Sequence, residues 1–497
     1  MRFNIYDNIL WEIIILLFSA LFILNWWAHG YWKRRNVYSL PTEFIFGNIR
    51  EIIMNPKVMG IIFRNFYEKY KQHKMVGFYC FYKPMLFVRD PEIIKRILAT
   101  DFNCFSNNGF TVDKNIDPFI GYNPFTAKTI PLWKELRSIQ ATNLTALKLK
   151  EVVPGIVKIG EFMNEFIKNK KNQPISVFDI TTRAAIDSAI LFGFGIEPKS
   201  FTDSEFSFMK YGTVEHLFST NYMNTISSFF LPSLSKIFNS RITSKAAEDF
   251  FISMTKTNIE HRKTTKITRG DLFDTILKLN KKKLEQGDKA YSNLEMSAHC
   301  ATFYLDATVT SATVSTFLLL ELATHQDIQE KLRREIFLVG KKPEDFDFDK
   351  INGIPYLQMV FDESIRIHSP VTVLTRSCTK DTVIEDVKIS KGTKVFISSL
   401  ALHYDPEYYP EPEKFDPERF SENNKESMTK YTFLPFGEGP RICVGLKYGN
   451  LFVKTLIAFI LLKYRILPTY DQNKVLHDYE NFLLVPKSDA TIKFEEL

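Results

Sequence analysis

The run FLPFGEGPRICVGLKYG, residues 433–449, sets one cysteine, Cys443, among glycines and a proline, just ahead of a stretch able to form a helix. A thiolate there lies near a helix N-terminus, whose backbone N–H groups and dipole favour negative charge and lower the thiol pKa. Such a thiolate can ligate a metal. Gly437, Gly439 and Gly445 let the backbone lie against something flat and bulky, and Arg441, two residues before the cysteine, can meet an anionic edge. An isolated cysteine in a large chain is more often a small buried hydrophobe. Cys443 therefore needs corroboration from elsewhere in the sequence.

The other candidates are cations, one indole and a few acids. FDESIRIHSP places Glu363 and Arg366 three residues apart, neighbours on one helical face, and PERF at 417–420 adds Arg419. In PLWKELR, Trp133 and Arg137 are four apart and share a face; VLTRSCTKD holds Arg376. Taken singly, each of these arginines reads as a surface residue. The stretch at 296–323, MSAHCATFYLDATVTSATVSTFLLLELA, is apolar on nearly every face, the pattern of a helix buried through a domain. It carries Asp306 and Thr310 four residues apart. A mid-helix threonine commonly bonds back to a helical carbonyl, and a buried carboxylate without a partner is costly and tends to stay protonated.

The spacing around Cys443, with Phe436 and Gly437 upstream, arginine two before the cysteine and glycine two after, resembles the haem-binding loop of the cytochrome P-450 family. The resemblance implies haem b (iron protoporphyrin IX), with Cys443 as the metal ligand and Phe436 near its sulfur. Such a ligand pushes electron density toward oxygen and favours O–O cleavage. Glu363, Arg366 and Arg419 resemble the family's Glu-Arg-Arg network, a structural brace. Trp133 and Arg137 match its WxxxR element, whose indole and guanidinium meet a propionate, and Arg376 and Arg441 match further propionate contacts. Where the family has alanine, glycine, any residue, an acid and threonine, this chain has Asp306, Ala307, Thr308, Val309 and Thr310. Only Thr310 is retained, with an implied role in proton delivery. Asp306 admits three readings: a substitute proton source, a partner for a basic or hydroxylated substrate, or a group paired with a cation.

By the same resemblance the fold is mainly α with small β-sheets, and the chain is a monooxygenase. It would insert one atom of O2 into a lipophilic small molecule, with electrons from NADPH through a separate flavoprotein reductase docking on Lys134, Lys148, Lys150 and Lys447. No GxGxxG fingerprint occurs in the sequence, in keeping with an external donor. Ala307 and Val309 keep two rivals open: a haem-binding carrier or sensor, and an O2-independent isomerase or dehydratase. The chain looks like the microsomal animal branch that handles xenobiotics, and RGDLFDTILKL at 269–279 is in keeping. The same likeness assigns the pocket lining to Val371, Thr372, Val373 and Leu374, to 481–484, and to a roof over 105–128 with Phe110, Phe119, Ile120 and Phe125.

The remaining elements must position these groups. In 497 residues no linker, repeat or low-complexity tract appears, so one large domain, 36–497, is expected after an N-terminal segment, 1–35. That segment holds a mostly apolar stretch from Ile9 to Ala28, about the ~20 residues that span a bilayer. Trp26, Trp27, Tyr31 and Trp32 suit an interfacial belt, and Lys33, Arg34 and Arg35 follow, which puts the main domain in the cytosol. A retained single-pass anchor in the endoplasmic reticulum fits better than a cleaved signal, because the basic cluster follows the apolar run rather than preceding it. The 45 phenylalanines can furnish a core and an aromatic pocket. Five cysteines without CxxC spacing exclude a zinc module or disulfide framework. A net charge of +7 without a basic arm excludes a nucleic-acid partner. Residues 75–98 predict two strands, a turn at Arg89-Asp90-Pro91 and a helix; 130–335 predicts helices, and 371–400 short strands. SSFFLPSLSKIF at 227–238 reads either as a surface meeting membrane and substrate or as interhelical packing.

Overall fold

Helix α1 (Ile5–His29) projects from the rest of the protein, with Trp26 71% exposed and Trp27 60% exposed. The span Trp11–Arg35 is long and apolar enough to cross a membrane, and no residue of its most apolar 18-residue stretch is buried by the folded chain. Trp32, expected in the interfacial belt, is instead 0% exposed. Its indole lies on Gly77, where a Cβ would come within 2.3 Å of the ring, and its Nε1 donates to the Phe78 carbonyl at 3.4 Å. Tyr79 donates its hydroxyl to the His29 carbonyl at 2.6 Å and accepts the Trp32 N–H at 3.1 Å. A sheet thus grips the end of α1, because a glycine in the strand opens a slot of indole size. The computed structural model describes residues 5–54, 59–170, 173–211, 214–218, 222–469, 477–478, 483–487 and 489–497.

That sheet has four strands, β1 (Met75–Cys80), β2 (Lys83–Val88), β3 (Val373–Ser377) and β4 (Lys394–Ser398), in the order β1-β2-β4-β3. The β1/β2 and β3/β4 pairs are antiparallel and β2/β4 is parallel, with Leu86 opposite Val395. The turn predicted at Arg89-Asp90-Pro91 is a helix start: the Asp90 carboxylate accepts the N–H groups of Glu92 and Ile93, both at 3.1 Å.

The helices that hold the site are α2 (Ile130–Asn143), α3 (Ala146–Asn169), α4 (Val177–Phe194), α5 (Asn293–Thr324), α6 (Gln326–Val339), α7 (Pro355–Ile367) and α8 (Leu446–Lys463). Helix α5 starts at a capping box in which Ser292 and Glu295 satisfy each other's backbone N–H. It packs against α4, α7, α8 and the helix Lys245–Thr265. Although apolar enough to span a bilayer, it is 83% buried in protein, as its all-round apolar pattern requires. Sequence reading and structure agree on a mainly helical fold with small sheets.

Several pocket assignments change. Phe119 is fully buried against Phe251, ring centroids 6.0 Å apart, and belongs to the core rather than to a roof. Thr372 packs on Gly60, where a Cβ would stand 2.6 Å from its hydroxyl, whereas Val371 and Leu374 are half-buried. The 227–238 segment divides: Phe229 and Phe230 pack on Phe110 (4.5 Å) and Phe396 (5.6 Å), while Ile237 and Phe238 are exposed. Asn481 and Phe482 lie outside the described residues; Leu484 is buried and donates its N–H to the Pro370 carbonyl at 2.9 Å.

Candidate functional site

The cysteine loop is shaped by its own backbone. Gly437 and Gly439 have φ of +71° and +75°, and a Cβ on Gly439 would come 2.1 Å from the Leu98 carbonyl oxygen, so this position excludes every side chain. Gly445 differs: its φ of −85° is ordinary, and it caps α8. The Cys443 N–H donates to the Phe436 carbonyl at 2.9 Å, closing the loop, and the Phe436 ring stacks on Phe361 of α7 at 6.5 Å.

Cys443 is the exposed one among the five cysteines, yet burial pushes its thiol up to about 11. It therefore opens inward, onto an interior hollow. The expected depression of its pKa is not seen: the backbone N–H groups of Gly445 and Leu446 do pull it down, but desolvation outweighs them, and Asp306 also raises it. Asp306 thus stands on the same hollow. Along α5, Asp306, Ala307 and Thr310 keep accessible surface while Thr308 and Val309 are buried. Val309, at the position of the missing acid, shows no surface to the hollow. Thr310 donates its hydroxyl to the Asp306 main-chain carbonyl, and Asn123 Nδ2 donates to both Asp306 carboxylate oxygens at 2.9 Å.

On one side of this hollow three guanidinium groups converge. Arg441 bonds the carbonyls of Ser106, Pro124 (3.1 Å) and Ala127 (2.9 Å), and its pKa is pushed down to about 9 by burial and by repulsion from Arg376 and Arg137. Arg376, 4% exposed, donates Nη1 to Asn108 Oδ1 at 2.8 Å, while its buried Nε has no partner; burial holds its pKa at about 10. Arg137 donates to the Ile442 carbonyl at 2.8 Å, inside the cysteine loop. The Trp133 indole lies beneath Arg441 at 4.9 Å and Arg137 at 5.8 Å. Among the described residues no carboxylate pairs with any of the three. Arg441 lies close enough to Arg376 and Arg137 to be repelled by both, and an anion between them would relieve that repulsion.

A flat group with an anionic edge and a metal fits these residues. Among the described residues no cluster of three or more His, Cys, Asp or Glu can hold a bare metal ion. A lone Cys443 therefore suits a metal that brings most of its own ligands. Asn108 and Asn123, which orient Arg376 and Asp306, went unremarked in the sequence, where nothing separates them from other loop asparagines.

The Glu-Arg-Arg brace is assembled as expected. Glu363 and Arg366, both 0% exposed, form a bidentate pair at 2.7 and 2.9 Å, and Arg419 reaches Glu363 at 3.3 Å. Arg366 also bonds the carbonyls of His403 (2.6 Å) and Pro412 (2.8 Å). His403 continues the brace to the cysteine loop. Its Nδ1–H donates to the Arg366 carbonyl at 3.0 Å, and its Nε2 accepts the Leu434 N–H at 2.9 Å. The bond accepted by Nε2 requires neutral imidazole, and burial holds the His403 pKa at about 3 against 6.5 when free. Between these values the unfolded chain binds a proton that the folded chain does not. This contribution is intact above pH 6.5 and is lost at up to about 1.4 kcal/mol per pH unit as pH falls. His403→Gln is expected to flatten the acid limb of a pH-resolved denaturation series; an unchanged limb would assign it to other groups.

A cysteine in a glycine-shaped loop before a helix, three converging guanidinium groups and a buried Glu-Arg-Arg brace accord with a haem protein. The chain belongs to the cytochrome P-450 family, whose model, described as Cytochrome P450, matches residues 39–494. It is 33% identical to cytochrome P450 6k1 of Blattella germanica over 92% of this chain and 91% of that protein. It is 32% identical to probable cytochrome P450 6a23 of Drosophila melanogaster over 99% of both. The chain is a P-450 monooxygenase, an oxidoreductase that works with haem iron and O2.

Proposed function

We propose that Cys443 binds the iron of haem b through its sulfur, that Trp133, Arg137, Arg376 and Arg441 hold the propionates, and that Phe436 shields the sulfur. Haem, when bound, supplies the activation of O2 and the insertion of one oxygen atom. The convergence beside an inward-opening cysteine of three guanidinium groups that pair with no carboxylate among the described residues carries this reading. Thr310 and Asp306, which keep accessible surface along α5, act on the oxygen or on the substrate.

The substrate is a lipophilic small molecule, in keeping with the aromatic wall of Phe110, Phe125 and Phe229. Xenobiotic handling accords with the insect relatives. Electrons come from NADPH through a membrane flavoprotein reductase. Lys134 and Lys447 are exposed and suited to its acidic face, whereas Lys148 and Lys150 are engaged with Glu151 (3.0 Å) and Asp349 (2.7 Å). Residues 1–35 anchor the protein as a single pass in the endoplasmic reticulum, and 36–497 form the cytosolic catalytic domain. The bare apolar surface of α1 supports the anchor.

Reconstitution with a flavoprotein reductase is expected to give substrate-stimulated NADPH consumption and a product carrying one oxygen atom from labelled O2. Turnover of a hydroperoxide without reductase would favour the isomerase instead, and haem binding without any product the carrier. Neither rival has an observation in its favour beyond Ala307 and Val309.

A further inference from the structure

Asp306 is a carboxylate at the middle of a buried helix, on the hollow it shares with Cys443, and among the described residues no lysine, arginine or histidine pairs with it. Its one polar side-chain partner is Asn123. The orientation of that amide is set from outside: Asn123 Oδ1 accepts the Phe125 N–H at 2.8 Å, which leaves Nδ2 to face Asp306. The loop bearing Asn123 is itself held by Arg441, through Pro124 and Ala127. Asp306 is therefore a held acceptor. A carboxylate offers about four lone-pair sites, and Asn123 engages one on each oxygen, so acceptor capacity remains toward the hollow. The Thr310 hydroxyl donates to the Asp306 main-chain carbonyl, so it donates no direct hydrogen bond to the carboxylate.

We infer that Asp306, positioned by Asn123, recognises a cationic nitrogen on the substrate, so that the enzyme prefers lipophilic ammonium compounds to neutral molecules of the same shape. This rests on the reading of Cys443 as the haem ligand. A cation entering the hollow supplies the counter-charge that the protein does not, in a setting where desolvated charge pairs are strong. Burial holds the Asp306 carboxyl at about 7, so a nearby cation readily shifts it to the ionised form.

The test uses the full chain, haem-loaded and in lipid, with two probes: an alkylbenzene ending in trimethylammonium and its tert-butyl isostere. The permanent cation has no lone pair for iron. Equilibrium binding is read from the Soret shift of the resting protein and by dialysis. The wild type is expected to bind the cation about tenfold more tightly than the isostere. Asp306→Asn should erase that ratio while leaving the isostere's affinity within about twofold, since only charge is removed. Asn123→Ala, which keeps the carboxylate but frees it, should reduce the ratio and serves if Asp306→Asn fails to load haem. Equal affinities in the wild type, or a ratio untouched by Asp306→Asn, overturn the inference. Peroxide release rising in Asp306→Asn with the ratio intact overturns it in favour of the proton relay. The carbon monoxide band reports on Cys443 separately, so a wild type with that band and no cation preference fails this inference alone.

Discussion

Cys443→Ala is expected to abolish the thiolate-type Soret band of the reduced, carbon monoxide-treated protein, and monooxygenation with it. The loop itself survives, because its closing bond runs from the Cys443 main-chain N–H to the Phe436 carbonyl, and its tight turns depend on Gly437 and Gly439. The arginine cradle is likewise untouched, so residual haem binding with an altered spectrum is the expected state. Cys443→Ser keeps the side chain's size and separates sulfur chemistry from packing. With a thiol held up to about 11 by burial, the sulfur ionises only against a positive partner, and its ligation should release a proton. A wild-type-like band in haem-loaded Cys443→Ala would overturn the assignment of the axial ligand.

Arg366→Ala should destabilise the protein by about 3–5 kcal/mol, since it leaves the Glu363 carboxylate buried with only the longer contact from Arg419. Against a typical domain stability of about 5–15 kcal/mol, that loss is large enough to empty much of the folded population at 37 °C and to prevent haem incorporation. Arg366→Lys is not a rescue. Arg366 fills four acceptors at once through a planar fork, two Glu363 oxygens and the His403 and Pro412 carbonyls, which an ammonium cannot reach together. Combined Glu363→Gln and Arg366→Met, which removes both charges, should cost less than the sum of the single changes. The exposed pair Lys263–Glu260 is the control: Lys263→Ala should change stability by about 1 kcal/mol or less. Arg366→Ala unfolding within 1 kcal/mol of wild type would show that the brace contributes little.

Much of this arrangement is legible in the chain because it rests on local rules. The run at 296–323 reads as a helix buried on nearly all sides, since it has almost no polar face. The spacings of Glu363 to Arg366 and Trp133 to Arg137 put each pair on one turn of helix, where the structure has them. Other readings failed for the opposite reason. Trp32 is aromatic beside a basic cluster, as a belt residue would be, but Gly77 in a distant strand leaves a slot that only the folded sheet creates. Phe119 and Thr372 sit in segments near the site, yet one belongs to the core and the other to a helix contact; proximity in sequence says nothing of the side facing inward. The Cys443 pKa was misjudged because a helix N-terminus is written in the sequence and the desolvation that opposes it is not.

The pairing of Glu363 with Arg366 on one helical turn and the glycines of the loop before Cys443 are thus properties of the sequence, because residue type and short-range spacing suffice to specify them, whereas Arg419 reaches Glu363 only in the folded chain. Tertiary structure decided which groups share one interior space. Arg137 lies far from Arg376 and Arg441 in the chain, and the repulsion that Arg441 meets from both, with no carboxylate pairing with it among the described residues, exists only once the chain is folded. The same holds for Asp306. Its helical position is readable, but Asn123, 183 residues away, makes it a held acceptor in a hollow, because burial and long-range hydrogen bonds arise from packing and not from local order along the chain.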